Sequence, residues 1–308
     1  MSERIVSLLA SGTEIVAALG LQDRLVGISH ECDHPPEVLD RPRVSRPRFD
    51  PEGLSSGAVD AAVRRAMAEH GSVYAIDGER LAALRPGLIL TQAVCEVCAV
   101  PTPGVRDVVR ERGLDAEVVS LDAHTVDEIL DSIRTVARAA GAESRAEEVV
   151  TELRRRLDTV RATVGGSVGP RVLAIEWLDP PFAPGHWVPE MIEQAGGRNL
   201  IGEAGAPSRQ VAWGELEGLD PDALVVMPCG YDLDAARRDA DRAADRLAAV
   251  APRAVESGRA FVVDGSAYFN RSGPRVVDGV EILAGLLHPD RFRRPAPTAA
   301  EVWRPPGA

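Results

Sequence analysis

Ala146-Glu147-Glu148-Val149-Val150-Thr151-Glu152-Leu153-Arg154-Arg155-Arg156-Leu157-Asp158-Thr159-Val160-Arg161-Ala162-Thr163-Val164 is the stretch that decides the fold. Its Ala, Val and Leu residues at 146, 149, 150, 153, 157, 160 and 164 recur at the three- and four-residue spacing of a single helical stripe, with Arg and Glu on the other faces. A helix of ~20 residues spans roughly 30 Å, enough to cross the backs of two lobes. Gly141 separates it from an earlier helix opening near Thr125. It sits between two halves of similar order, and that position makes it a spine.

Outward from the spine, each half alternates short apolar runs with helical patterns, the signature of parallel α/β sheets. The first half has runs at 4–9, 25–28, 88–91 and 117–121; the second has them at 171–175, 223–225 and 260–263. Leu84-Arg85-Pro86-Gly87-Leu88-Ile89-Leu90 is echoed by Leu219-Asp220-Pro221-Asp222-Ala223-Leu224-Val225. In both, proline ends a helix and leads into a buried strand. The fold expected is α/β: two lobes with parallel-type sheets, a single long backbone helix joining them, and a ligand cleft between them. The divisions expected are an N-terminal lobe at 1–124, linking helices at 125–169, a C-terminal lobe at 170–290 and an irregular Pro/Arg-rich tail at 291–308. The segment 41–53, rich in Pro and Arg, reads as an irregular surface loop.

Composition narrows the function classes. The 308 residues are 45% hydrophobic and 27% charged, a globular balance, and the net charge of −12 disfavours nucleic acid and anionic membrane surfaces as partners. Nothing approaches the ~20 apolar residues of a membrane span. The opening apolar run, Ile5 to Ala10, is too short for a signal peptide, so the expectation is a cytoplasmic protein with reduced thiols, or an exported one whose leader lies outside this sequence. His30-Glu31-Cys32-Asp33-His34 places His at i and i+4, but its loop position and the Pro35-Pro36 that follow argue against a helical zinc-protease motif; no phosphate-cradling glycine loop occurs, and the expectation is a non-enzymatic protein.

Arg4-Ile5-Val6-Ser7-Leu8, Thr13-Glu14-Ile15, Ala18-Leu19-Gly20, Leu25-Val26-Gly27, Leu84-Arg85-Pro86, Gly197-Arg198-Asn199-Leu200 and Leu219-Asp220-Pro221-Asp222 occur in that order. Together they resemble the helical-backbone (class III) substrate-binding proteins of ABC importers, most nearly the cobalamin-binding branch, over 4–288. The resemblance implies reversible capture of cobalamin or another corrinoid in the interlobe cleft, and an ABC-type importer as partner.

Ligands of parallel α/β sheets bind beyond the carboxyl ends of the strands. The strand-following loops therefore supply the ligand-binding candidates: Ser11, Thr13, His30, Glu31, Arg46, Gln92, Glu176, Trp177, Phe182, His186, Trp187, Tyr231, Tyr268, Phe269 and Arg271, with Trp213 just upstream of the second proline phrase. Aromatics are only 4% of the chain, yet the second-lobe loops are rich in them. Flat rings suit a bulky planar ligand such as a corrin. Glu14, Glu31, Glu176 and Asp264 are candidate acceptors for ligand amides, Glu14 reading rather as a helix cap, and Arg46 and Arg271 are candidate donors to a phosphate or carboxylate. The same loops hold Cys32, Cys95, Cys98 and Cys229, two of them in a Cys-x-x-Cys. Their convergence would make a zinc-like soft-metal site or a thiol-dependent redox site, the alternative to simple corrinoid binding.

Overall fold

The computed structural model describes residues 4–94, 100–166 and 168–307. Two sheets carry it. In the first half Leu25–Ile28, Ile5–Ser7, Leu88–Thr91 and Glu117–Ser120 lie side by side in that order, all parallel. In the second, Arg198–Asn199, Arg171–Ile175, Ala223–Val226 and Ala260–Val263 repeat the parallel arrangement. Ile5, Val6, Leu88, Ile89, Leu90, Val172, Leu173, Leu224 and Val225 are fully buried, as strands covered on both faces require. The proline echo is structural as well. Arg85 (φ 44°) and Asp220 (φ 45°) both turn left-handed just before their prolines.

One helical crossing joins the lobes. Val126–Ala140 is capped by the Thr125 side chain and closed by left-handed Gly141, and Glu143–Val164 follows as the spine. Six of the seven stripe positions are buried, with Val149 packed at the margin. The stripe meets Val126–Ala140 on the first-lobe side and the helices Val188–Gln194 and Val276–Leu287 on the second. Arg156 ties the spine down, donating to Asp278 and to both carboxylate oxygens of Glu281, the latter at 2.9 and 2.6 Å. Arg291 donates to the Val164 carbonyl at 2.6 Å, satisfying a backbone group that the helix end leaves open.

Two expectations change. The tail is not irregular throughout: Ala300–Val302 adds an antiparallel edge to the second sheet, and Trp303 is buried beneath it with its indole donating to Asp241. Buried Ala299, Ala300 and Trp303 hold this segment to the second lobe despite the surrounding prolines. Within 41–53, Val44 and Ser45 are buried and Ser45–Pro47 pairs with Tyr74–Ile76. That antiparallel pair, and the small sheet formed by Trp177–Leu178, Pro181–Ala183 and Arg209–Gln210, are additions to each lobe beyond the parallel strands.

Candidate functional site

The strand-end loops of the two halves meet across a gap, and the contacts fall into distinct groups. The first is ionic. Glu14 sits on the helix Ala10–Ala18 directly after the first strand, buried, with Arg275 donating to its two oxygens at 2.6 and 3.0 Å. Arg271 adds a 3.3 Å contact to Glu14 and a two-pronged pair with Asp33 at 2.5 and 2.8 Å. Burial opposes ionisation of Asp33, yet the Arg271 hydrogen bonds and charge, with help from Arg275, hold its carboxyl below the usual range. Ser11 and Ser272 meet beside this cluster at 3.3 Å.

The centre of the gap is different. His30 packs its ring against Tyr74 with centroids 4.6 Å apart, its Nδ1 2.8 Å from Ser45 Oγ and its Nε2 3.0 Å from Glu31. From the other lobe come Glu176, Trp177, Cys229 and Tyr231. Trp177 and Tyr231 form a tilted ring pair 5.1 Å apart. Glu176 is buried, and among the described residues no cation stands beside it. Burial lifts its carboxyl to about 7, against hydrogen bonds from Ser208, at 2.6 Å, and the Gly185 amide. Burial, then the charges of Glu176 and Glu31, push the Cys229 thiol up to about 12. Tyr74 is raised by burial, then by Glu31 and Cys229, so the two walls are within electrostatic reach of each other here. The centre thus offers aromatic faces, carboxyls and a protonated thiol.

Two further contacts bridge the lobes. His124 and His186 place their Nδ1 atoms 3.2 Å apart, with His186 lowered by burial and then by the charge of His124. At the start of the helix Ser56–His70, Asp239 accepts from Ser56, and burial raises its carboxyl. Gly57 comes so close to Asp179 that an added Cβ would lie 2.3 Å from its carboxylate. A side chain there would have to displace the Asp179 carboxylate.

The predicted residues divide accordingly. Glu31, His30, Glu176, Trp177 and Tyr231 surround the centre, with Tyr231 also packed against the second-lobe core. Ser11 is spent on Ser272, and Arg271 is saturated by protein carboxylates rather than free for a ligand. Trp187, with its indole donating to the Phe269 carbonyl, and Phe269 itself are core. Thr13 is fully buried against Cys32, and Trp213 leans on the second-lobe core. Tyr268 lies under the Arg275 guanidinium, 5.6 Å from ring to charge. Gln92 is buried, Phe182 half-buried and Arg46 exposed. Cys32 is sealed between Thr13 and Ser29, and burial raises its thiol. Cys95 and Cys98 lie outside the described residues. Among the described residues no group of three or more His, Cys, Asp or Glu is arranged to hold a metal, so the four-cysteine cluster finds no support.

Sequence reasoning missed Asp33, Tyr74, His124, Ser208 and Arg275. His124 was reachable: it follows the strand Glu117–Ser120, and the carboxyl-end rule applies to that loop as well. Tyr74 was hidden in a short strand with no alternating pattern.

The family model for the periplasmic binding protein matches residues 5–267. The chain belongs to the periplasmic binding protein family. Members are non-enzymatic substrate-binding components of ABC importers, each taking a small-molecule ligand. Among the relatives is an uncharacterised ABC transporter substrate-binding lipoprotein, YvrC of Bacillus subtilis, 26% identical over 94% of this chain and 82% of its own. Another is the vitamin B12-binding protein of Vibrio cholerae, 25% identical over 93% of this chain and 89% of its own. Among solved structures, a periplasmic heme-binding protein from Pseudomonas aeruginosa shares the fold at a TM-score of 0.72, with 23% identity and 99% of each chain covered. These periplasmic and lipoprotein relatives overturn the cytoplasmic expectation: proteins of this family are exported, and the short opening run does not decide the compartment. Among the described residues no helix is long and apolar enough to cross a membrane.

Proposed function

We propose that this periplasmic binding protein captures a bulky planar macrocycle, a corrinoid first of all, between its lobes and delivers it to an ABC importer. The observation that carries the reading is the aromatic lining of the gap's centre, with the Trp177–Tyr231 pair on one side and His30 packed on Tyr74 on the other. Rings of this kind offer large, rigid contact area at low entropic cost, and Glu31, Glu176 and Ser208 supply the polar groups that orient a ligand edged with amides. The resemblance to the Vibrio cholerae vitamin B12-binding protein along almost the whole chain supports the same ligand class. Arg271 plays no part in recognition, because its donors are already committed to Asp33 and Glu14.

Titration with cyanocobalamin, followed by visible absorbance and calorimetry, tests the reading, with hemin as the rival macrocycle. The expected result is stoichiometric binding of the corrinoid. Replacing Trp177 or Tyr231 with Ala should weaken binding by ~1–3 kcal/mol, about tenfold or more, with little change in unfolding temperature. Hemin binding without corrinoid binding would replace the ligand. Binding of neither would remove the macrocycle reading.

A further inference from the structure

We propose that His124 and His186 form a two-imidazole site for one divalent transition-metal ion of the zinc or copper kind, clipping the two lobes together. Their Nδ1 atoms stand 3.2 Å apart. Two metal–nitrogen bonds of ~2.0–2.1 Å at a tetrahedral angle place their nitrogens about 3.3 Å apart, so both rings would reach one ion with almost no movement. Imidazole suits zinc and copper, and water can complete the coordination.

The backbone at both residues is fixed by hydrogen bonds. His186 is a non-glycine residue at φ 50°, pinned there by its amide donating to Ala206 at 2.6 Å and its carbonyl accepting from Gly205 at 2.9 Å. Strain of this kind is retained where the surrounding structure fixes a functional side chain. The His124 amide donates to Glu128 at 2.6 Å, and next to it the Val126 amide donates to Glu190 of the opposite lobe at 2.9 Å. These carboxylates offset the positive end of the helix Val126–Ala140, which would otherwise oppose a cation. On the first-lobe side the site stands apart from the macrocycle reading, and on the second His186 follows Gly185, whose amide donates to Glu176. His124 follows the edge strand Glu117–Ser120, at the opposite side of the first sheet from Leu25–Ile28 and the His30 loop after it.

The competing arrangement is a plain hydrogen bond between two neutral rings, and metal binding separates the two. Chelator-treated protein, kept reduced, is titrated with Zn2+ by calorimetry, and the Cu2+ form is examined by electron paramagnetic resonance. The proposal expects one ion per chain and nitrogen coupling from two imidazoles. His124→Ala and His186→Ala should each weaken Zn2+ binding by about tenfold or more. The double variant should lose binding while keeping its circular dichroism spectrum, and a control at the exposed His70 should bind as the parent does. A double variant that binds Zn2+ with the parent's stoichiometry and affinity would overturn the proposal, as would a parent chain that takes up no ion at millimolar Zn2+.

Discussion

Glu14 and Glu176 are both buried carboxyls on segments that follow a strand, facing the same gap, and their surroundings are opposite. Glu14 is clasped by two guanidinium groups from the far lobe. Among the described residues Glu176 has one hydroxyl and one amide to donate to it and a thiol at its side, and no cation. A buried charge with excellent partners locks the groups that share it, whereas a buried carboxyl without a counter-charge stays poised between protonation states. The comparison separates a part of the gap that holds the lobes together from the part proposed to take the ligand.

Removing each carboxyl sharpens that contrast. Glu14→Ala strips Arg275 of its main partner and Arg271 of one of two, leaving buried charge uncompensated, and should cost about 3 kcal/mol in urea unfolding at neutral pH. Glu176→Gln should leave stability at that pH unchanged or slightly higher, since it removes a group whose ionisation the fold resists. Equal losses from the two substitutions would erase the distinction.

The pH dependence follows from the raised value of Glu176. Its carboxyl titrates near 7 in the fold against 4.5 for the free group, so the folded state binds the proton more tightly than the unfolded one. Stability therefore falls as pH rises through that window. The cost is absent below it and fully present above it, on the order of 3 kcal/mol. Unfolding measured at pH 5 and pH 8 should show a steeper loss for the parent than for Glu176→Gln. Parallel curves would mean that Glu176 is ionised throughout.

Ser208→Ala gives the smallest effect, about 1 kcal/mol. Loss of the 2.6 Å hydrogen bond removes a group that favours the carboxylate, so the window should extend to higher pH. A shift to lower pH in the same measurement would show that Ser208 favours the protonated form.

The lobes and the spine were legible because periodicity survives in one dimension. Buried parallel strands read as apolar runs, and the stripe from Ala146 to Val164 faces both lobes as its spacing predicts. The gap was legible only as a set of loops. Position after a strand singled out Glu176, Trp177 and Tyr231 as candidates, yet it could not tell a ring aimed into the gap from one aimed into the core, as with Trp187. Nor could it pair groups far apart in the chain: Glu14 meets Arg275 only because the fold folds back across 261 residues. Thiol placement was the weakest guide, since a cysteine after a strand can equally be packing, as Cys32 is.

The central claim is that the aromatic centre of the gap, and not the ionic contacts beside it, takes the ligand. Calorimetric titration of cyanocobalamin into the parent, Trp177→Ala and Arg271→Lys chains tests it most directly. The account predicts that Trp177→Ala weakens binding by about tenfold or more, whereas Arg271→Lys lowers stability and leaves the affinity of the folded protein close to the parent's. Loss of affinity in Arg271→Lys with none in Trp177→Ala would contradict it.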